Sequence, residues 1–156
     1  MAAIHSILFV CTGNSCRSVM AEALMKKRLA ELGKDDIEVV SAGVRAFDGF
    51  PATAETITVM NEVSADVSAH ETTRVTAGMI EKADLILAME HAHKDEIIRM
   101  VPAAASKTFL LKEYRNSSNM YYGYPGVSDP IGKPVGEYRL CRDEIDREIK
   151  RIAELL

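Results

Sequence analysis

Apolar and polar positions follow two alternating periods along the chain, and their alternation sets the fold class. Ile7-Leu8-Phe9-Val10 is a continuous apolar run of strand length, as in a strand buried on both faces. Ala21, Leu24, Met25, Leu29 and Leu32 then recur at helical spacing, and Gly33 supplies a stop. Ile37-Glu38-Val39-Val40-Ser41 predicts a second short strand. Strand, helix and strand within about forty residues make a right-handed βαβ unit the default. Pro51 is placed to open a helix carrying Ala54, Ile57, Thr58, Met60 and Asn61, and Val67-Ser68 predicts a short bridge or bend before His70. A helix follows over roughly 76–82, then a strand over 84–89 that is apolar on both faces. His91 to Met100 predicts a helix ended by Pro102, and Lys107-Thr108-Phe109-Leu110-Leu111 a further strand. From Lys112 to Pro134 the chain is mostly loop, and loops of that length in a compact domain are usually functional. The last helix starts near Val135, with Tyr138, Ile145, Ile149, Ile152 and Leu156 on one face.

Strands alternating with helices predict a single α/β domain over residues 1–156. The expected architecture is a doubly wound four-stranded parallel sheet with helices on both faces. Sites in such sheets lie beyond the carboxyl ends of the strands. Cys11 stands there. The stretch Cys11-Thr12-Gly13-Asn14-Ser15-Cys16-Arg17-Ser18 runs from the first strand into a helix N-terminus. That position offers unpaired main-chain N–H groups and the positive end of the helix dipole, which together bind dianions such as phosphate. The same field favours a thiolate over a thiol. Arg17 closes the loop and can grip phosphate oxygens with its planar fork. A nucleophile at Cys11 and a phosphate cradle over Thr12 to Ser18 therefore share one loop. The competing view is a cysteine that serves only as a small buried hydrophobe. A nucleotide P-loop is a poor fit because the Gly-Lys-Ser/Thr ending is missing.

Composition narrows the function. The chain of 156 residues is 47% hydrophobic and 27% charged, ordinary for a globular protein that buries a core without disulfides or metal. A net charge of −4 argues against non-specific nucleic-acid binding. Three cysteines, Cys11, Cys16 and Cys141, do not make a disulfide framework, and an odd count with a reactive thiol suits a reducing cytoplasm. No secretory signal is read at the start, and no run of about eighteen apolar residues is available to span a bilayer. His91, His93 and Asp95 are a weak zinc candidate, since residues at a helix start are usually solvated or capping. Neither a metal nor a cofactor is expected. Phe47 and Phe50, on the loop after the second strand, are read mainly as local packing, with the pocket wall as the sharper alternative. Asp129-Pro130 on the long loop is either a turn start or an acid reaching over the phosphate site.

The active-site stretch resembles that of the low-molecular-weight protein tyrosine phosphatase family. The family carries C-x5-R near its N-terminus and an Asp-Pro pair near its C-terminus, here Cys11 to Arg17 and Asp129-Pro130. Ser41-Ala42-Gly43 and the run from Ala83 to Met89 extend the resemblance over essentially the whole chain. Val19 departs from it, because the family usually has proline there. The resemblance implies a hydrolase of phosphorylated protein side chains that passes through a phosphocysteine on Cys11. Arg17 would hold the transferring group, and Asp129 would act as general acid and then base. Phosphoproteins would be the partners, and phosphate or other oxyanions the inhibitors. It further implies support of Cys11 by Ser18 and Asn14, a histidine behind Asn14 for which His70 is the candidate, and Cys16 as a thiol that traps oxidised Cys11.

Substrate preference rests on two departures. Tyrosine-directed members usually carry a larger aliphatic where this chain has Ser15, and arginine phosphatases carry threonine. They also often place aromatics after the Asp-Pro pair, where Ile131-Gly132 follows here. Ala88-Met89 through His93-Lys94, with Lys112-Glu113-Tyr114, also resembles the arginine branch. Phosphoarginine is therefore favoured over phosphotyrosine, although Tyr121, Tyr122 or Tyr124 would supply a stacking wall for a ring. Arsenate reductase, which shares the loop, needs a further redox pair of cysteines that Cys141 alone does not provide. A catalytically dead phosphate-binding module would be expected to have lost Cys11 or Asp129.

Overall fold

The first apolar run becomes strand β1 (Ser6–Cys11), and its alternate residues serve two different cores. Ile7, Phe9 and Cys11 face one side of the sheet while Leu8 and Val10 face the other, and all five are buried. A strand buried on both faces requires a helical layer on each side. The structure, a computed structural model, describes residues 3–116 and 123–156, so the expected roles of Tyr121 and Tyr122 fall outside the described residues.

After β1 come α1 (Arg17–Glu31), β2 (Glu38–Gly43), α2 (Ala54–Asn61), α3 (Ala77–Lys82), β3 (Leu85–Ala88) and α4 (His91–Met100). A 3-10 turn (Pro102–Lys107), β4 (Thr108–Leu110) and α5 (Val135–Leu155) complete the chain. Helices α1, α2 and α5 pack on the face that holds Ile7 and Phe9. Helices α3 and α4 pack on the face of Leu8 and Val10. Ile145, Ile149 and Ile152 of α5 are fully buried. Each such side chain contributes about 2 kcal/mol of transfer free energy.

The strands are parallel in the order β2-β1-β3-β4. From β1 the chain moves first to one neighbour and later to the other. The crevice at the carboxyl end of β1, where ligands bind in such sheets, is therefore where Cys11 emerges.

Several boundaries differ from the sequence reading. Helix α1 starts at Arg17, so the arginine belongs to the first helical turn rather than to the loop alone. Pro51 does not open α2; Thr53 does, its Oγ1 accepting the Thr56 N–H at 3.2 Å. Of the bridge or bend expected near Val67-Ser68 the chain forms the second, a turn at 68–69 where Asp66 accepts the Ser68 N–H and hydroxyl, and the isolated bridge pairs Gly43 with Arg74. Pro102 ends α4 but also starts the 3-10 turn.

Candidate active site

Residues 12–16 carry the chain from the end of β1 to the start of α1. Asn14 sits in the left-handed region at φ 56°, which asparagine tolerates better than most residues. Among the described residues, no carbonyl or side chain takes up the main-chain N–H groups of Gly13 to Ser18, and no side chain caps α1. Uncommitted main-chain donors at a helix N-terminus are the kind of group that receives an anion.

A directed hydrogen-bond chain supports the nucleophile position. The Thr73 N–H donates to Asn14 Oδ1 at 2.8 Å, which fixes the orientation of the amide. Asn14 Nδ2 then donates to Ser18 Oγ at 2.8 Å and to Ser41 Oγ at 2.9 Å. Ser41 Oγ donates in turn to Glu22 Oε1 at 2.6 Å. Ser18 Oγ therefore accepts from Asn14 and has its hydroxyl hydrogen left for Cys11 Sγ, 2.9 Å away. Asn14 and Ser18 are fully buried, so the chain does not exchange partners with water. His70 Nε2 donates to the Asn14 carbonyl at 2.9 Å, which puts His70 behind Asn14. It holds the main chain of Asn14, not the amide.

Arg17 is 2% exposed. One terminal nitrogen donates to the Val127 carbonyl at 2.8 Å and pairs with Glu90 at 3.1 Å. The other lies 3.5 Å from Asp129 Oδ2 and 3.4 Å from Thr12 Oγ1. Burial works against its charge, yet the negative groups at Cys11, Asp129 and Glu90 prevail and hold the guanidinium above its ordinary value. Burial also works against Glu90, but Arg17 and the Tyr124 hydroxyl, which donates at 2.9 Å, keep its carboxyl below the usual range. The Asp-Pro pair does two things at once. Asp129 Oδ1 accepts the Ile131 N–H at 3.1 Å and starts a turn, while Oδ2 faces Arg17.

Ser15 is half-buried on the loop, with its carbonyl accepting the Thr53 N–H at 3.1 Å. Ile131 is exposed. Cys16 is buried, its Sγ 3.6 Å from Thr53 Oγ1 and 4.0 Å from the Tyr138 hydroxyl. Cys141 is packed on α5, where burial pushes its thiol up to about 12. All three cysteines are free thiols.

One expectation is corrected. Phe47 and Phe50 are not packed: they are 75% and 61% exposed, because Thr72 ties down their main chain and leaves the rings outside. Of the solvated and capping alternatives for the residues at this helix start, His93 takes the second. It is buried, and it caps α4 with Glu90: each side chain bonds the main-chain N–H at the other's position. Among the described residues no His, Cys, Asp and Glu cluster is placed for a metal.

Glu90, Ser41, Glu22, Thr73 and His93 were not legible as site residues. The resemblances over Ser41-Ala42-Gly43 and Ala88-Met89 through His93-Lys94 gave these residues no role, and the local signal was Glu90-x-x-His93 at a predicted helix start, a pattern of capping residues.

Residues 6–156 match the family model described as low molecular weight phosphotyrosine protein phosphatase. The chain belongs to that family. It is a protein phosphatase, a hydrolase. A protein-arginine-phosphatase of Geobacillus stearothermophilus is 38% identical over 152 residues, covering 97% of this chain and 96% of that protein. An arsenate reductase of Bacillus cereus is 34% identical over 149 residues, covering 96% and 94%. A structure of a mutant YwlE arginine phosphatase with a phosphorylated active-site serine is similar at TM-score 0.89 and 36% identity, covering 97% of this chain and 95% of that one. No helix of this phosphatase, among the described residues, is long and apolar enough to cross a membrane.

Proposed function

We propose that this phosphatase hydrolyses phosphorylated protein side chains through a phosphocysteine on Cys11, with phosphoarginine as its preferred substrate. The observation that carries the chemistry is the directed chain from Thr73 through Asn14 and Ser18 to Cys11, ending 2.9 Å from the sulfur. Cys11 attacks phosphorus and a P–S bond forms as the bond to the leaving atom breaks. Asp129 gives its proton to that atom. The loop N–H groups and Arg17 hold the equatorial oxygens. Water then attacks the phosphocysteine, Asp129 takes its proton, and Cys11 departs as a thiolate that receives the Ser18 hydrogen bond.

Support for phosphoarginine comes from small Ser15 on the loop, from exposed Ile131 after the Asp-Pro pair, and from relatives named protein-arginine-phosphatase. Exposed Phe47, Phe50 and Tyr124 favour phosphotyrosine as a second reading, since they offer ring surfaces. Arsenate reduction is disfavoured because Cys141, held as a buried thiol with its titration pushed to about 12, is a poor redox relay. A reducing cytoplasm suits three free thiols.

Rapid acid quench of the parent with 32P-labelled substrate should trap label on Cys11, and Cys11→Ser should lose turnover by roughly 10^3-fold or more. Absence of a labelled enzyme, or near-full turnover in the variant, would overturn the covalent route. The kcat/KM values for phosphoarginine and phosphotyrosine peptides decide the preference.

A further inference from the structure

The cleft beside the nucleophile loop carries positive charge that the reaction at Cys11 does not use. Arg45 and Arg74 line a cavity of about 210 Å³ together with Thr12, Val44, Glu90 and Glu96. Both arginines spring from main chain tied to the active site. The Arg45 N–H donates to the Thr12 carbonyl at 2.9 Å. The Arg74 N–H donates to Asp48 Oδ1 at 2.7 Å, and Arg74 bridges to Gly43 at the end of β2.

The two carboxylates of this cavity already have cations. Glu90 pairs with Arg17 at 3.1 Å, and Glu96 accepts from Arg99 Nε at 2.8 Å. Arg45 and Arg74 lie near enough to Glu96 to help hold its carboxyl low, after the larger effect of Arg99. Neither guanidinium makes a side-chain hydrogen bond or an ion pair among the described residues. In a chain of net charge −4, two exposed and unpaired guanidiniums beside an anion site give that edge a local positive field.

We propose that Arg45 and Arg74 form a subsite for an acidic side chain flanking the phosphorylated residue of a protein substrate. This rests on the phosphatase reading above and adds a determinant of substrate choice. Thr12 belongs to both the phosphate loop and this cavity, so the two sites share a wall. An extended peptide advances about 3.3 Å per residue, so the residues flanking the phosphorylated one are the first candidates to reach across that wall. A carboxylate fits better than a second phosphate group. Glu90 and Glu96 also face the cavity, and they repel a dianion more than a single charge. Arginine forks match a carboxylate with two parallel hydrogen bonds.

The test uses matched phosphopeptides that differ only in carrying Asp or Asn within two residues on either side of the phosphorylated position. The parent should turn over the best Asp peptide with a kcat/KM roughly 3- to 10-fold above its Asn partner. The ratio should shrink towards one at about 0.5 M salt, where exposed charges are screened. In the double variant Arg45→Gln/Arg74→Gln it should fall to about one, while Arg45→Lys/Arg74→Lys should keep part of it. Each variant's kcat/KM on p-nitrophenyl phosphate serves as the internal reference for an intact site. A parent that hydrolyses p-nitrophenyl phosphate but treats Asp and Asn peptides alike would overturn the subsite, as would a preference that survives in the Gln variant. A parent with no activity on p-nitrophenyl phosphate or on phosphoarginine and phosphotyrosine peptides would remove the phosphatase reading itself.

Discussion

His93 Nδ1 accepts the Glu90 N–H at 3.1 Å, and its Nε2 therefore carries the proton and donates to Thr12 Oγ1 at 2.8 Å. A charged imidazole would turn both ring nitrogens into donors and set one against the Glu90 N–H. Burial, joined by the charge of Arg17, lowers the His93 pKa to about 4 against the partial opposition of Glu90 and Asp129.

The sign of the pH dependence follows. The unfolded histidine titrates near 6.5, so between that value and about 4 the unfolded chain binds the proton more readily than the folded one. Stability due to His93 is full above about 6.5 and declines as pH falls towards 4. Urea unfolding of the parent should lose about 1–2 kcal/mol more between pH 7 and pH 5 than His93→Gln does. Equal slopes in the two proteins would show that His93 titrates normally.

A Cβ at Gly43 would stand 2.5 Å from the Thr12 carbonyl and 2.8 Å from the Asn14 nitrogen, with no flexible side chain to yield. The end of β2 and the nucleophile loop are in contact along their main chains. Gly43→Ala should destabilise the fold by about 2–4 kcal/mol and lower kcat as the loop shifts. Thermal unfolding and p-nitrophenyl phosphate turnover measure the two effects, and an unchanged kcat would mean the loop absorbs the methyl elsewhere.

Asp129 keeps one carboxylate oxygen for its turn and directs the other at Arg17. If that oxygen is the acid, Asp129→Ala should cost roughly 10^2- to 10^3-fold in kcat on substrates with poor leaving groups. On p-nitrophenyl phosphate, whose phenolate departs with little help, the loss should be about 10-fold. Equal losses would assign Asp129 to the turn alone.

Ser15 tests the substrate preference. Ser15→Ile adds bulk to the loop beside the phosphate site and should shift the phosphoarginine-to-phosphotyrosine ratio of kcat/KM towards phosphotyrosine by about 10-fold, by crowding the guanidinium. The four values for parent and variant measure it. A parent that strongly prefers phosphotyrosine, with no shift in the variant, would leave the tyrosine reading standing.

Much of this was local information that the sequence carries by itself. Apolar runs of strand length such as Ile7-Leu8-Phe9-Val10, alternating with amphipathic helices, imply a doubly wound sheet, because strands buried on both faces need helices on both sides. Cys11 and Arg17 are close along the chain, and a strand–loop–helix pattern places them in one anion site whatever the rest does. The tertiary structure decided the partners that are far apart in sequence. Asn14 is oriented by Thr73, Ser41 is joined to Glu22, and Thr12 is held by a histidine 81 residues away. No periodicity encodes such pairs, because a hydrogen bond depends on where two side chains meet and not on their spacing along the chain. Arg45 and Arg74 illustrate the same limit. On the sequence they are two separate surface cations; only the bridge from Gly43 to Arg74 brings them to one cavity beside Thr12.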